Sequence, residues 1–142
     1  MSPPRSDETE RWYSSVYMAV QEIPRGKVTT YGHIARLICE RKQHHFVGQA
    51  LKYLPEPRDA YGNVHVFNHG NVPWQRVVAS KGMVPKRYVS YDPSGAGRQA
   101  QRLRAEGVEV IDVNGEFLVD LKGFGWFPER LPSEEGDRDE EG

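Results

Sequence analysis

The chain is poor in cysteine and has no long apolar run, and each shortage excludes a class of protein. Cys39 is the one cysteine in 142 residues. It closes no internal disulfide and builds no multi-cysteine zinc centre, which excludes a secreted disulfide scaffold. No stretch approaches the ~20 apolar residues of a membrane helix, so no membrane partner is expected. Residues 1–8 lack the apolar centre of a secretory signal. The expectation is an intracellular protein, nuclear in a eukaryote. No phosphate-cradling glycine loop or dinucleotide fingerprint occurs, so no cofactor is expected. His65 and His69 stand four apart, but in a Gly/Asn-rich stretch without a matching acid pattern. No metal is expected there either.

What is present is a divided charge. The net charge is -1, yet residues 133–142 (SEEGDRDEEG) carry six acids and one base. Residues 25–104 hold fourteen Lys/Arg against four Asp/Glu. A basic centre with an acidic tail suits a nucleic-acid binder, and it equally suits a solvated basic face. The length and the 37% hydrophobic content fit one domain with a modest core.

Apolar periodicity lays out the elements. Trp12, Val16, Ala19, Val20 and Ile23 recur at helical spacing over 7–23, and Pro24 and Gly26 end that helix. Thr30 is placed to cap a second helix over 31–41, burying Ile34, Ala35, Leu37 and Ile38. A third helix over 45–54 carries Val47, Ala50, Leu51 and Leu54 on one face, and turns His45, Gly48, Gln49 and Lys52 outward. Two short helices joined by a polar turn form a helix-turn-helix pattern. Gly48 weakens a plain helix. Close approach of DNA explains it, and so does helix packing. Residues 55–72 read as a long surface loop with a small hairpin. Ser94 caps a helix over 95–106 that Gly107 ends. Asn114-Gly115 between two alternating runs signals a β-hairpin. Segment 123–128 closes over the body. The folded body is expected over 7–130, with 1–6 and the acidic 131–142 disordered.

No nucleophile–base pair stands out. Cys39 has no partner motif. Tyr31, Trp74 and Arg87 in a basic context suit an extruded base, since rings stack and arginines meet π faces and phosphates. Core aromatics and a surface charge account for the same residues.

Four segments carry a family resemblance. Ile23-Pro24-Arg25-Gly26-Lys27-Val28-Thr29-Thr30-Tyr31-Gly32-His33-Ile34-Ala35 resembles the opening of the DNA-binding domain of the O6-alkylguanine-DNA alkyltransferases. Val47-Gly48-Gln49-Ala50 resembles their recognition helix. Pro73-Trp74-Gln75-Arg76-Val77-Val78 stands where they have Pro-Cys-His-Arg-Val. Leu103-Arg104-Ala105-Glu106-Gly107-Val108 resembles the end of their last helix. The likeness spans about residues 10–110 in the same order. Trp74 occupies the acceptor-cysteine position and Gln75 the position of the relay histidine. Tryptophan there marks the alkyltransferase-like proteins, which bind O6-alkylguanine without repairing it.

The resemblance implies an α/β, mostly helical fold: the helix-turn-helix DNA-binding domain of the O6-alkylguanine-DNA alkyltransferase type, with a C-terminal β-hairpin. It implies a non-enzymatic monomer that binds duplex DNA through the minor groove, flips O6-alkylguanine and flags it for nucleotide excision repair proteins. Tyr31 would press on the flanking phosphate. Gly48, Gln49 and Lys52 would lie at the minor groove, and Ser80 would reach the backbone. Trp74 and Val77 would line an apolar lesion pocket with Tyr31, and Arg87 would meet the base's face. His45 stands where the family has an intercalating arginine. The loop between Leu54 and Trp74 is about a dozen residues longer than in the shorter members. Two other readings stay open: an alkyltransferase using Cys39, and a sequence-specific helix-turn-helix regulator.

Overall fold

Helix α1 (Asp7–Gln21) opens with Asp7, Glu8 and Glu10, acids that suit the positive end of a helix dipole. It buries Tyr13, Val16, Tyr17, Ala19 and Val20. The computed structural model describes residues 7–39, 44–85 and 95–134. The short strand β1 (Thr29–Thr30) leads directly into α2 (Tyr31–Cys39). The Thr30 hydroxyl caps that helix by accepting the His33 N–H at 3.2 Å. Helix α3 (His44–Lys52) packs on α2, and both pack on α1. The Tyr17 hydroxyl donates to the Ala50 carbonyl at 2.6 Å and ties α1 to α3. The joining residues 40–43 and the expected cap Ser94 lie outside the described residues.

Apolar side chains gather in two clusters. The helical cluster centres on Val16, Val20, Ile34, Val47 and Leu51 and includes Trp74 and Val77. The second joins Val28, Val78, Val84, Leu103, Val110 and Val119. Strand β2 (Val77–Val78) pairs parallel with β1, Thr29 opposite Val77 and Thr30 opposite Val78. This pairing brings segment 73–78 beside the start of the helix-turn-helix. Helix α4 (Gly95–Ala105) packs behind that segment.

The hairpin of β3 (Val110–Val113) and β4 (Glu116–Val119) turns at Asn114 and Gly115, whose φ values are 54° and 84°. Two successive positive φ values define the type I′ turn that matches strand twist. Gly82, at φ 85°, lies so close to β4 that a Cβ would stand 2.0 Å from the Val119 carbonyl oxygen. A side chain there would push the 80–82 turn off the hairpin. Helix α5 (Leu121–Phe124) follows, capped by Asp120. Segment 123–128 closes on the body as expected: Val28 N–H donates to Phe124 O at 2.9 Å, and Trp126 N–H to Val28 O at 2.7 Å.

The expected end of the body at residue 130 needs correction. Leu131 is 8% exposed and joins the helical cluster. Ser133 donates its N–H and hydroxyl to the two Glu22 carboxylate oxygens. Contacts therefore reach residue 133, because the first residue of the expected tail, Leu131, is an apolar side chain that finds a core site. Among the described residues, no helix is long and apolar enough to cross a membrane.

Candidate nucleic-acid interface

The face of α3 divides as its periodicity requires. Val47, Ala50 and Leu51 are buried, while Gln49 and Lys52 are exposed. The backbone puts position 45 one turn before Gly48 and Gln49 on this outer face. Gly48 is half-buried beside Tyr31, the first residue of α2. A Cβ on Gly48 would sit 4.0 Å from Tyr31 Cε1, an ordinary contact. Packing inside the protein therefore does not demand glycine at this position. The fold brings Tyr31, Gly48, Gln49 and Lys52 to one surface. Ser80 is exposed and opens a separate one-turn 3-10 helix, Ser80–Gly82. Arg87 lies outside the described residues.

Trp74 opens another one-turn 3-10 helix, Trp74–Arg76, and is 3% exposed. The His69 ring meets its indole edge-on, with centroids 5.8 Å apart at 72°. The Arg102 guanidinium lies 5.4 Å from the same ring. Val77 is fully buried in the helical cluster, close to Trp74 in the chain, on the strand that pairs with β1. Its carbonyl already accepts from Gln99 Nε2 at 2.9 Å. A cavity of about 330 Å³ beside the segment is walled by Gln21, His69, Asn71, Gln75, Arg76 and Arg102. Its lining is mostly polar.

The sequence did not point to Glu106. Its carboxylate accepts from Gln75 Nε2 at 2.7 Å, Arg76 Nε at 2.9 Å and the Gly26 N–H at 3.0 Å. Arg76 also donates to the Ile23 carbonyl at 2.7 Å. One acid thus ties the end of α4 to segment 73–78 and to the turn before β1. Burial alone would raise the Glu106 pKa. The Gly26 N–H, the Gln75 amide and the Arg76 guanidinium outweigh it and hold the carboxyl below its ordinary value. Gln99 was missed too. It is fully buried, and its amide donates to the Gln75 and Val77 carbonyls. A glutamine on the apolar stripe of Ala96, Ala100 and Leu103 was the available sign.

Residues 11–108 match the family described as 6-O-methylguanine DNA methyltransferase, DNA binding domain. Over 120 residues the chain is 41% identical to alkyltransferase-like protein 1 of Schizosaccharomyces pombe, covering 84% of this chain and 97% of that protein. The chain belongs to the alkyltransferase-like family. A crystal structure of S. pombe Atl1 in complex with damaged DNA containing O6-carboxymethylguanine matches this alkyltransferase-like fold with a TM-score of 0.67. That match is 41% identical and covers 88% of this chain and all of the other. The DNA base-flipping protein of Escherichia coli is 32% identical over 122 residues, 86% of this chain and 79% of that protein. The mostly helical domain with its helix-turn-helix and C-terminal hairpin is therefore as the sequence led one to expect.

Proposed function

We propose that this alkyltransferase-like protein binds duplex DNA through the minor groove, turns O6-alkylguanine out of the stack and holds it without removing the alkyl group. One observation carries the reading: segment 73–78 offers no acceptor chemistry. An indole stands at the acceptor position and supplies no thiolate. Beside it the Gln75 amide spends its N–H on Glu106 at 2.7 Å, where an imidazole would relay a proton. A primary amide has no basic nitrogen with which to replace that imidazole.

Flipping a base costs a few kcal/mol of stacking and pairing, and less when the base is damaged. Tyr31 presses on the flanking phosphate, and Gly48 lets the minor groove approach α3 beside it. Gln49, Lys52 and Ser80 meet the backbone, and His45 fills the gap in the stack. Trp74 and Arg87 receive the extruded base. The bound lesion is passed, by a monomer, to nucleotide excision repair proteins, in the nucleus where the cell has one.

The test is a titration of the full chain against matched duplexes with and without one O6-methylguanine, followed by mass spectrometry. Tighter binding to the lesion with an unmodified chain is expected. A gain of one methyl mass overturns the non-catalytic reading, and equal affinity for both duplexes overturns lesion recognition.

A further inference from the structure

Trp74 is the residue on which an extruded base would stack, yet 97% of it is hidden. Besides its packing in the helical cluster, two side chains that meet its ring come from outside the four family-like segments. His69 belongs to the long loop, and Arg102 to the outer surface of α4. They are held very differently.

His69 sits at the corner of a turn with little freedom. Its own N–H donates to the Pro55 carbonyl at 3.0 Å. The preceding Asn68 is 6% exposed. Its side chain donates to the His65 carbonyl at 2.8 Å and accepts the Gly70 N–H at 2.8 Å. The Asn68 N–H donates to the Asn71 side chain at 2.9 Å, and Gln21 Nε2 donates to the Asn71 carbonyl at 3.1 Å. Phe67 anchors the same turn against Tyr17, centroids 5.4 Å apart. The imidazole is therefore carried to the indole by fixed backbone. The two rings are T-shaped to each other, an arrangement that aromatic quadrupoles favour. Arg102 is exposed and reaches the indole on a long flexible stem. A solvent-exposed guanidinium over a ring is held weakly.

We propose that His69 and Arg102 are specificity-determining residues for the lesion: His69 is the fixed wall that limits the O6 substituent, and Arg102 is the movable cover of Trp74. The proposal rests on the lesion-binding reading above. A base that reaches the indole displaces Arg102, because the guanidinium swings away without breaking the loop. The wall stays and sets how large a group fits beside the indole. The cover lowers apparent affinity by the fraction of time it is closed, whatever the substituent. The two residues thus act on different quantities, one on the ratio between lesions and the other on all lesions alike.

The test measures binding of the full chain to three duplexes that differ only in guanine, O6-methylguanine or O6-benzylguanine. In His69→Ala the benzyl-to-methyl affinity ratio rises by about fivefold or more, within the range that a group of this size commands in a pocket. Binding to the guanine duplex stays within about twofold, because no phosphate contact is removed. His69→Phe, which restores an aromatic edge, keeps the wild-type ratio. His69→Asn, which keeps a polar but shorter side chain, repeats the shift if the alanine variant fails to fold. Arg102→Ala tightens both lesion duplexes by about two- to fivefold and leaves their ratio unchanged. An unchanged ratio in folded His69→Ala or His69→Asn overturns the wall. A changed ratio in Arg102→Ala, or loss of lesion binding there, overturns the cover. Equal binding of guanine and O6-methylguanine by the unaltered protein overturns lesion recognition itself, whatever the variants do.

Discussion

The two apolar clusters are assembled from very different stretches of chain. The helical cluster draws most of its members from α1, α2 and α3, close neighbours in sequence. The second gathers Val28, Val78, Leu103, Val110 and Val119, residues from five separate segments. The bonds between segments follow the same division. Glu106 reaches back 80 residues to Gly26, and Arg76 reaches 53 to Ile23. The local half builds a surface, the outer face of α3 with Tyr31 beside it. The long-range half fixes one short piece of backbone, segment 73–78, from behind. A presenting surface needs only helix periodicity. Holding a tryptophan against the start of that surface needs contacts that close long loops.

The sharpest way to break this division is to give chemistry to segment 73–78, the piece that the long-range bonds hold. Trp74→Cys alone should transfer no methyl group efficiently, because Gln75 has no basic nitrogen. Adding Gln75→His puts an imidazole where the amide now donates to Glu106. Single-turnover transfer from O6-methylguanine DNA should then rise by about a hundredfold over the single variant, the usual worth of a placed base. Rapid transfer by Trp74→Cys alone would show that the neighbour of the acceptor is dispensable.

Removing the long-range tie comes next. Glu106→Ala leaves Arg76 and the Gln75 amide without their acceptor at a carboxylate only 8% exposed. Urea unfolding should show a loss of about 3 kcal/mol, the scale for breaking a buried pair. The acid dependence follows from the same group. Its folded pKa lies below the ordinary 4.5, so its stabilisation is complete above that value and is lost as pH falls through the folded pKa. In Glu106→Gln the acid limb of the stability curve should flatten. A limb identical to wild type would place the acid sensitivity elsewhere.

The local half is probed at Gly48. Alanine fits there without a clash. Gly48→Ala should be as stable as wild type or more stable by up to about 1 kcal/mol. Binding to duplex DNA should nevertheless weaken by about tenfold, or roughly 1.4 kcal/mol, if the minor groove needs that space. A more stable variant with unchanged affinity would separate α3 from the DNA.

The smallest effect concerns neither half. Residues 135–142 carry five acids and one base. Deleting them should tighten binding to lesion-free DNA by about twofold at low salt and leave binding unaltered at high salt. No change at low salt would show that the tail does not screen the basic surface.

Much of the helical half was legible in the sequence because its rules are local. Spacing located three helices, Thr30 announced its cap, and Asn114-Gly115 announced its turn. The outer face of α3 followed from the positions of Val47, Ala50 and Leu51. The site behind it was read less well. Val77 was assigned to the pocket by its matched position in the family motif, and its complete burial depended on which strand it would pair with. Leu131 looked like tail because acids follow it. Glu106 was quoted within a motif but not read as a partner of Gln75.

The sequence alone determined the helix-turn-helix, the hairpin and the absence of a thiol at position 74, since each depends on residue type and near neighbours. Only the tertiary structure decided what surrounds that position. The parallel pairing of β1 with β2 carried Val77 inward. The turn at Asn68 brought His69 to the indole, and α4 laid Arg102 across it and Glu106 beneath Gln75. The placements of Val77, Arg102 and Glu106 arise from closing loops of tens of residues, where many partners are chemically equivalent and packing of the whole chain selects one, and that of His69 from a turn pinned to Pro55 and Gln21.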